Sequence, residues 1–126
     1  MDYRLEVVVV PVSDVDRAKA FYSDTLGFTV DHDSSPAPGT RVVQLTPPGS
    51  GCSIVIGEGL ADMAPGSIKG LQLVVDDMDT AVTELGSRGL EVGETQTLGA
   101  SDREGFKFVF FADPDGNGWA VQEIRP

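Results

Sequence analysis

A chain of 126 residues suits one compact domain, or two small halves sharing a core, and 40% hydrophobic residues can supply that core. Nine basic against twenty acidic residues give a net charge of −11, which argues against a nucleic-acid partner, because phosphate contacts need clustered Lys and Arg. No apolar run approaches the ~20 residues of a membrane span, no basic leader opens the chain, and the one cysteine, Cys52, excludes an internal disulfide, so a cytoplasmic protein without membrane contact is expected.

Residues 5–12 (LEVVVVPV) are a continuous β-branched run and predict a buried strand. Ser13 and Asp14 are good N-cap residues, Asp16 suits the first helical turn, and Val15, Ala18, Phe21, Tyr22 and Leu26 recur at helical spacing up to Gly27. A second strand starts over 28–31, 34–39 (SSPAPG) reads as a loop, and 41–46 (RVVQLT) as a third strand. After the turn at 47–51, residues 52–56 (CSIVI) predict a fourth. From residue 57 onward the chain turns to Gly, Ala and Pro without a sustained period, and reads as a connection. The pattern then restarts. Residues 70–75 (GLQLVV) predict a strand, Asp76 caps a helix carrying Met78, Ala81, Val82 and Leu85, and Gly89 closes it. Residues 90–92 open another strand, and 95–105 read as a polar loop with a short strand. The chain closes on a hairpin, 106–124, turning at DPDGNG over 113–118, where Pro114 presets φ and the glycines allow positive φ.

This is an internal repeat. Residues 7–12 lie over 70–75 at an offset of 63, which also sets Asp14, Asp16 and Ala18 over Asp77, Asp79 and Ala81. PPGSG before Cys52 matches PDGNG before Trp119. The chain is therefore α+β, built of two βαβββ modules, residues 1–58 and 70–126, with a connector at 59–69. Neither half buries its sheet alone.

Three motifs, PVSDVDRAKAFYSDTLGF at 11–28, VVDDMDTAVTEL at 74–85 and FFADPDGNGW at 110–119, resemble the vicinal oxygen chelate superfamily, the group of glyoxalases, bleomycin-resistance proteins and extradiol dioxygenases. The resemblance implies one domain whose two modules form a half-open barrel around a cavity, and a homodimer. Metal-using members place His, Glu or Gln on the first and fourth strands of each module, so that a divalent ion can polarise vicinal oxygens of a substrate. Those positions fall here on Val7, Gly70, Ser53 and Ala120, none of them a normal ligand. No metal and no other cofactor is therefore expected.

Strand alternation from Val7 brings Val9, Ser53, Val55, Gln72, Val74, Ala120 and Gln122 to the same side, an apolar surface with a few amides. Arg41 and Gln44 have opposite parity on the third strand, and either can reach the cavity. The candidate ligand-binding residues are Val7, Val9, Gln44, Ser53, Val55, Gln72, Ala120 and Gln122, with the amides and the Ser53 hydroxyl fixing orientation or satisfying each other. No catalytic residue is identified. His32 reads as exposed, Asp102 and Arg103 as a solvated pair, and Trp119, Phe108, Phe110 and Phe111 as packing. The acidity reads as solubility or as a preference for a cationic ligand. The expected function is metal-independent binding of an apolar or cationic small molecule, of the drug-sequestering type. The rival is a lyase, isomerase or dioxygenase with non-standard ligands among Gln44, Gln72, Gln122, Glu123 and His32. A metal-free acid–base enzyme using His32, Glu6 or Glu123 ranks behind both.

Overall fold

In a computed structural model, residues 1–98 and 106–125 are described, so Asp102 and Arg103 lie outside the described residues. The N-terminal β-branched run pairs only over its centre, where β1 (Val7–Val9) lies parallel to β4 (Ser53–Glu58). Between them come α1 (Val15–Ala20), continued as a π-helical turn over Phe21–Thr25, then β2 (Thr29–Ala37) and β3 (Thr40–Thr46). The first sheet has the order β1-β4-β3-β2. The second repeats it as β5-β8-β7-β6, from β5 (Leu71–Val75), β6 (Gln96–Leu98), β7 (Phe106–Ala112) and β8 (Gly118–Glu123), with α2 (Met78–Ser87) after β5. Two mixed four-stranded sheets with two helices are the α+β, half-open form that the repeat predicts.

Several local expectations are corrected. The stretch 34–39 is not wholly loop, because β2 runs to Ala37; Pro36 is tolerated since β2 is an edge strand and needs no inner ladder bond there. No strand forms over 90–92; Leu90 and Val92 pack against the core without a ladder, and the strand forms later, at β6. Gly70 precedes β5 with φ +89°, a left-handed conformation that favours glycine. The cap of α2 is Asp77, not Asp76, and its carboxylate accepts from the Thr80 backbone N–H at 3.1 Å. Asp14 does the same for α1, accepting from Arg17 N–H at 3.0 Å.

Each sheet has a core face and an open face. Val43, Leu45, Ile54 and Ile56 of the first sheet, and Val109, Phe111, Trp119 and Val121 of the second, join Val15, Ala18, Tyr22 and Met78 in one buried cluster. The modules share this core rather than each keeping its own. Phe21 reaches Phe111, with ring centroids 6.3 Å apart, and Tyr22 reaches Trp119 at 5.7 Å.

The hairpin turn is also part of that joint. Asp113 is 5% exposed and Asn117 fully buried. Asp113 Oδ1 accepts from the backbone N–H of Asp115 (3.0 Å) and Asn117 (2.9 Å). Its Oδ2 accepts from the Tyr22 hydroxyl at 2.7 Å and from Asn117 Nδ2 at 2.8 Å. Trp119 Nε1 donates to the Tyr22 oxygen at 3.0 Å, and Asn117 Nδ2 also donates to the Pro11 carbonyl at 2.8 Å. One carboxylate thus ties the first module's helix to the second module's turn. Burial, and then the bond to Asp113, push the Tyr22 phenol far above its usual value.

Candidate functional site

The open faces hold the residues that strand alternation selects. On the first sheet, Val7 stands beside Ser53 and Val9 beside Val55 across the parallel ladder, and Gln44 faces Val55 across the antiparallel one. On the second, Gln72 stands beside Ala120 and Val74 beside Gln122. Ala120 therefore has Gln72 as its neighbour, one pleat along from Gly70. The Gln72 amide nitrogen donates to the Gln122 amide oxygen, so these two amides do satisfy each other on one side. Ser53 and Gln72 also line a common cavity of about 260 Å³, with Leu5, Cys52, Gly70 and Trp119. The other candidates do not line that cavity; they lie on the open faces outside it.

Both faces are accessible. Val7 is 38% exposed, Val74 55%, Phe110 43% and Phe106 57%. Phe108 and Phe110 face the same way as their ladder partners Gln122 and Ala120 and stack on each other, with centroids 6.2 Å apart and planes at 10°. The expectation that all four aromatics of the hairpin serve packing is corrected for this pair. Trp119 and Phe111 are core, with parallel rings 6.0 Å apart, while Phe108 and Phe110 form an aromatic platform on the open face. The signal was present in the sequence: once Ala120 is placed, a tight antiparallel hairpin fixes the parity of β7.

The first sheet's open face carries a polar chain. Gln44 Nε2 donates to Ser53 Oγ at 3.4 Å, Ser53 Oγ lies 2.6 Å from Thr46 Oγ1, and the Thr46 hydroxyl donates to Asp31 Oδ2. Neither Thr46 nor Asp31 was singled out by sequence. Asp31 escapes alternation because it is the extra residue of a bulge: Val30 pairs with Leu45 and His32 with Gln44, leaving Asp31 without a partner in the ladder. His32 stands exposed opposite Gln44.

Arg41 is on the other side. Its guanidinium donates to Asp33 at 3.1 and 2.9 Å and to Asp16 of α1 at 2.9 Å, so of the pair Arg41 and Gln44 only Gln44 belongs to the open face. Those bonds from Arg41, and then one from Lys19, hold the Asp33 carboxyl well below its usual range. Glu123 is likewise committed. It accepts from the Met78 backbone N–H at 2.8 Å, which with Arg125 lowers its acidity constant, so it serves the start of α2 rather than a ligand.

The residues at the family's metal positions do not fit a divalent ion. Val7, Gly70 and Ala120 offer no side-chain lone pair, and the Ser53 hydroxyl is engaged by Gln44 and Thr46. Among the described residues, no group of three or more His, Cys, Asp or Glu side chains is placed to hold a metal. No chemical step is derived through one.

The chain was compared with known proteins. The model of the Glyoxalase/Bleomycin resistance protein/Dioxygenase superfamily matches residues 4–121. A comparison with curated proteins returns no match. Among solved structures, the chain is similar to TnmS3, an antibiotic binding protein from Streptomyces sp. CB03234, at 33% identity and TM-score 0.82, over 97% of this chain and 96% of that one. It is similar to a glyoxalase/bleomycin resistance protein from the same Streptomyces strain, at 33% identity and TM-score 0.78, over 95% and 100% of the two chains. A superfamily member from Sphaerobacter thermophilus DSM 20745 matches at 29% identity and TM-score 0.82, over 98% of each chain. With its fold, its repeat and this match over nearly its whole length, the chain belongs to the glyoxalase, bleomycin resistance protein and dioxygenase superfamily.

Proposed function

We propose that this protein is a metal-independent binder of small molecules, of the drug-sequestering type, and that its ligand is a partly apolar compound held on the open faces of the two sheets. The observation that carries the reading is the pairing of an accessible aromatic platform, Phe108 and Phe110, with a few fixed amides, Gln72 and Gln122, on an otherwise apolar face. Apolar walls with sparse orienting polar groups are what reversible recognition of a drug-sized molecule requires. The similarity to an antibiotic binding protein supports it. The candidates Val7, Val9, Gln44, Ser53, Val55, Gln72, Ala120 and Gln122 line these faces as contact residues, with no role in bond making. Phe108 and Phe110 join them. We also infer a homodimer, because faces that expose Val7, Val74, Phe106 and Phe110 gain from being covered by a second copy.

The test is titration calorimetry with a panel of antibiotics and aromatic metabolites, beside sedimentation and elemental analysis of the purified protein. Binding by several flat, partly apolar compounds without metal is expected, at twice the chain mass. Uniform absence of binding would remove the reading, and stoichiometric Zn, Ni, Fe or Mn would replace it with a metal-dependent enzyme.

A further inference from the structure

The polar chain on the first sheet runs in one direction. Asp31, as a carboxylate, can only accept, so the Thr46 hydroxyl has committed its single hydrogen to Asp31 Oδ2. The hydrogen between Thr46 and Ser53, 2.6 Å apart, must then come from Ser53. Ser53 in turn receives from Gln44 Nε2. Every donor points toward Asp31. What this leaves for a ligand is Asp31 Oδ1, the Gln44 amide oxygen and one Gln44 N–H. Ser53 has no hydrogen left to give, so it backs the chain instead of orienting a ligand directly.

The bulge gives the arrangement its position. An unbulged β2 would alternate and send Asp31 and His32 to opposite faces. The extra residue between the Val30–Leu45 and His32–Gln44 pairs puts the Asp31 carboxylate against Thr46 on the open face, while Asp33 goes to Arg41 and Lys19 on the other. Asp31 has no cation beside it, in contrast to Asp33.

We propose that Asp31 is the residue that reads positive charge on this face, and that the ligand carries an ammonium or guanidinium group. Thr46 and Ser53 act as positioning residues behind it. The proposal rests on the small-molecule reading above and adds the ligand's charge and the group that selects it. A cation there meets a carboxylate already supported by one hydroxyl, with its second oxygen turned outward, and no competing donor except one amide N–H.

Calorimetry with naphthylmethylamine and its neutral partner naphthylmethanol separates the cases. The protein is expected to bind the amine more tightly by on the order of tenfold, the range of a charge-assisted hydrogen bond at a partly open site. Asp31→Asn should abolish that preference and leave naphthylmethanol binding unchanged. Thr46→Val should narrow it, and Thr46→Ser should restore it. Asp62→Asn, which removes an exposed carboxylate from the connector, should leave it intact. A preference that survives Asp31→Asn, or that falls equally in Asp62→Asn, overturns the assignment. Binding of naphthylmethanol with no preference for the amine overturns it too, while sparing the small-molecule reading; binding of neither probe removes both.

Discussion

Asp113 receives hydrogen bonds from two backbone N–H groups, the Tyr22 hydroxyl and the Asn117 amide, inside a cluster that excludes water. Buried donors left without an acceptor are costly, so Asp113→Ala should destabilise by about 3 kcal/mol or more, read from urea unfolding. Tyr22→Phe leaves the Trp119 indole N–H without its acceptor and should cost about 2 kcal/mol. The same substitution has a signature in pH. Burial keeps the folded phenol protonated while the unfolded chain ionises near 10.0, so stability should fall as pH rises past that value. Tyr22→Phe should remove this alkaline slope, and an unchanged slope would show that Tyr22 is not its source. From the residues alone, DPDGNG was legible as a turn and Tyr22 as core. The bond between them was not, because nothing in a periodic pattern says which buried hydroxyl meets which carboxylate across 91 positions of chain.

Helices and strands were legible wherever one local rule decided them. The offset of 63 that pairs Asp14 with Asp77 predicts both caps, and it outperforms the reading of Asp76 from its place before the apolar run. Asp14→Ala should cost about 1 kcal/mol, with a matching loss of thermal midpoint. Leu90 and Val92 misled because apolar spacing reports burial, and a segment can pack on the core without a ladder. The ends of the elements also set the acid limb of stability. Asp33, Asp77 and Glu123 are all held below their ordinary values, first by Arg41, the Thr80 N–H and the Met78 N–H respectively. As pH falls through 4.5 and 3.8, the unfolded chain takes up protons that the folded chain still refuses, so stability should drop there. Arg41→Gln should flatten that limb by returning Asp33 toward its usual behaviour, and a superimposable urea–pH curve would count against the Arg41 contribution.

For the whole molecule, a net charge of −11 is a long-range field as well as a solubility device. Association of a cationic probe should therefore slow as salt rises, most of the change coming before about 0.1 M, where the screening length is ~10 Å. Stopped-flow fluorescence should show this for naphthylmethylamine and not for naphthylmethanol; equal salt dependence would tie the effect to something other than charge. The repeat made the architecture legible at this scale, since two copies of one module constrain each other. The open faces were legible in part. Val7, Ser53, Gln72 and Ala120 followed from alternation, whereas Asp31 sits in a bulge, which breaks the rule used to find the rest.

The joint built around Asp113 lies with the core residues, and the surface offered to ligands is a separate set of side chains. Inheritance of the fold and inheritance of a chemistry are thereby uncoupled. DPDGNGW marks where two modules are riveted, so a chain that carries it advertises its architecture and leaves its trade unstated. The same separation makes the scaffold forgiving to remodel: the residues of the open faces can be exchanged for ligands, bases or new contacts while the rivet stays in place.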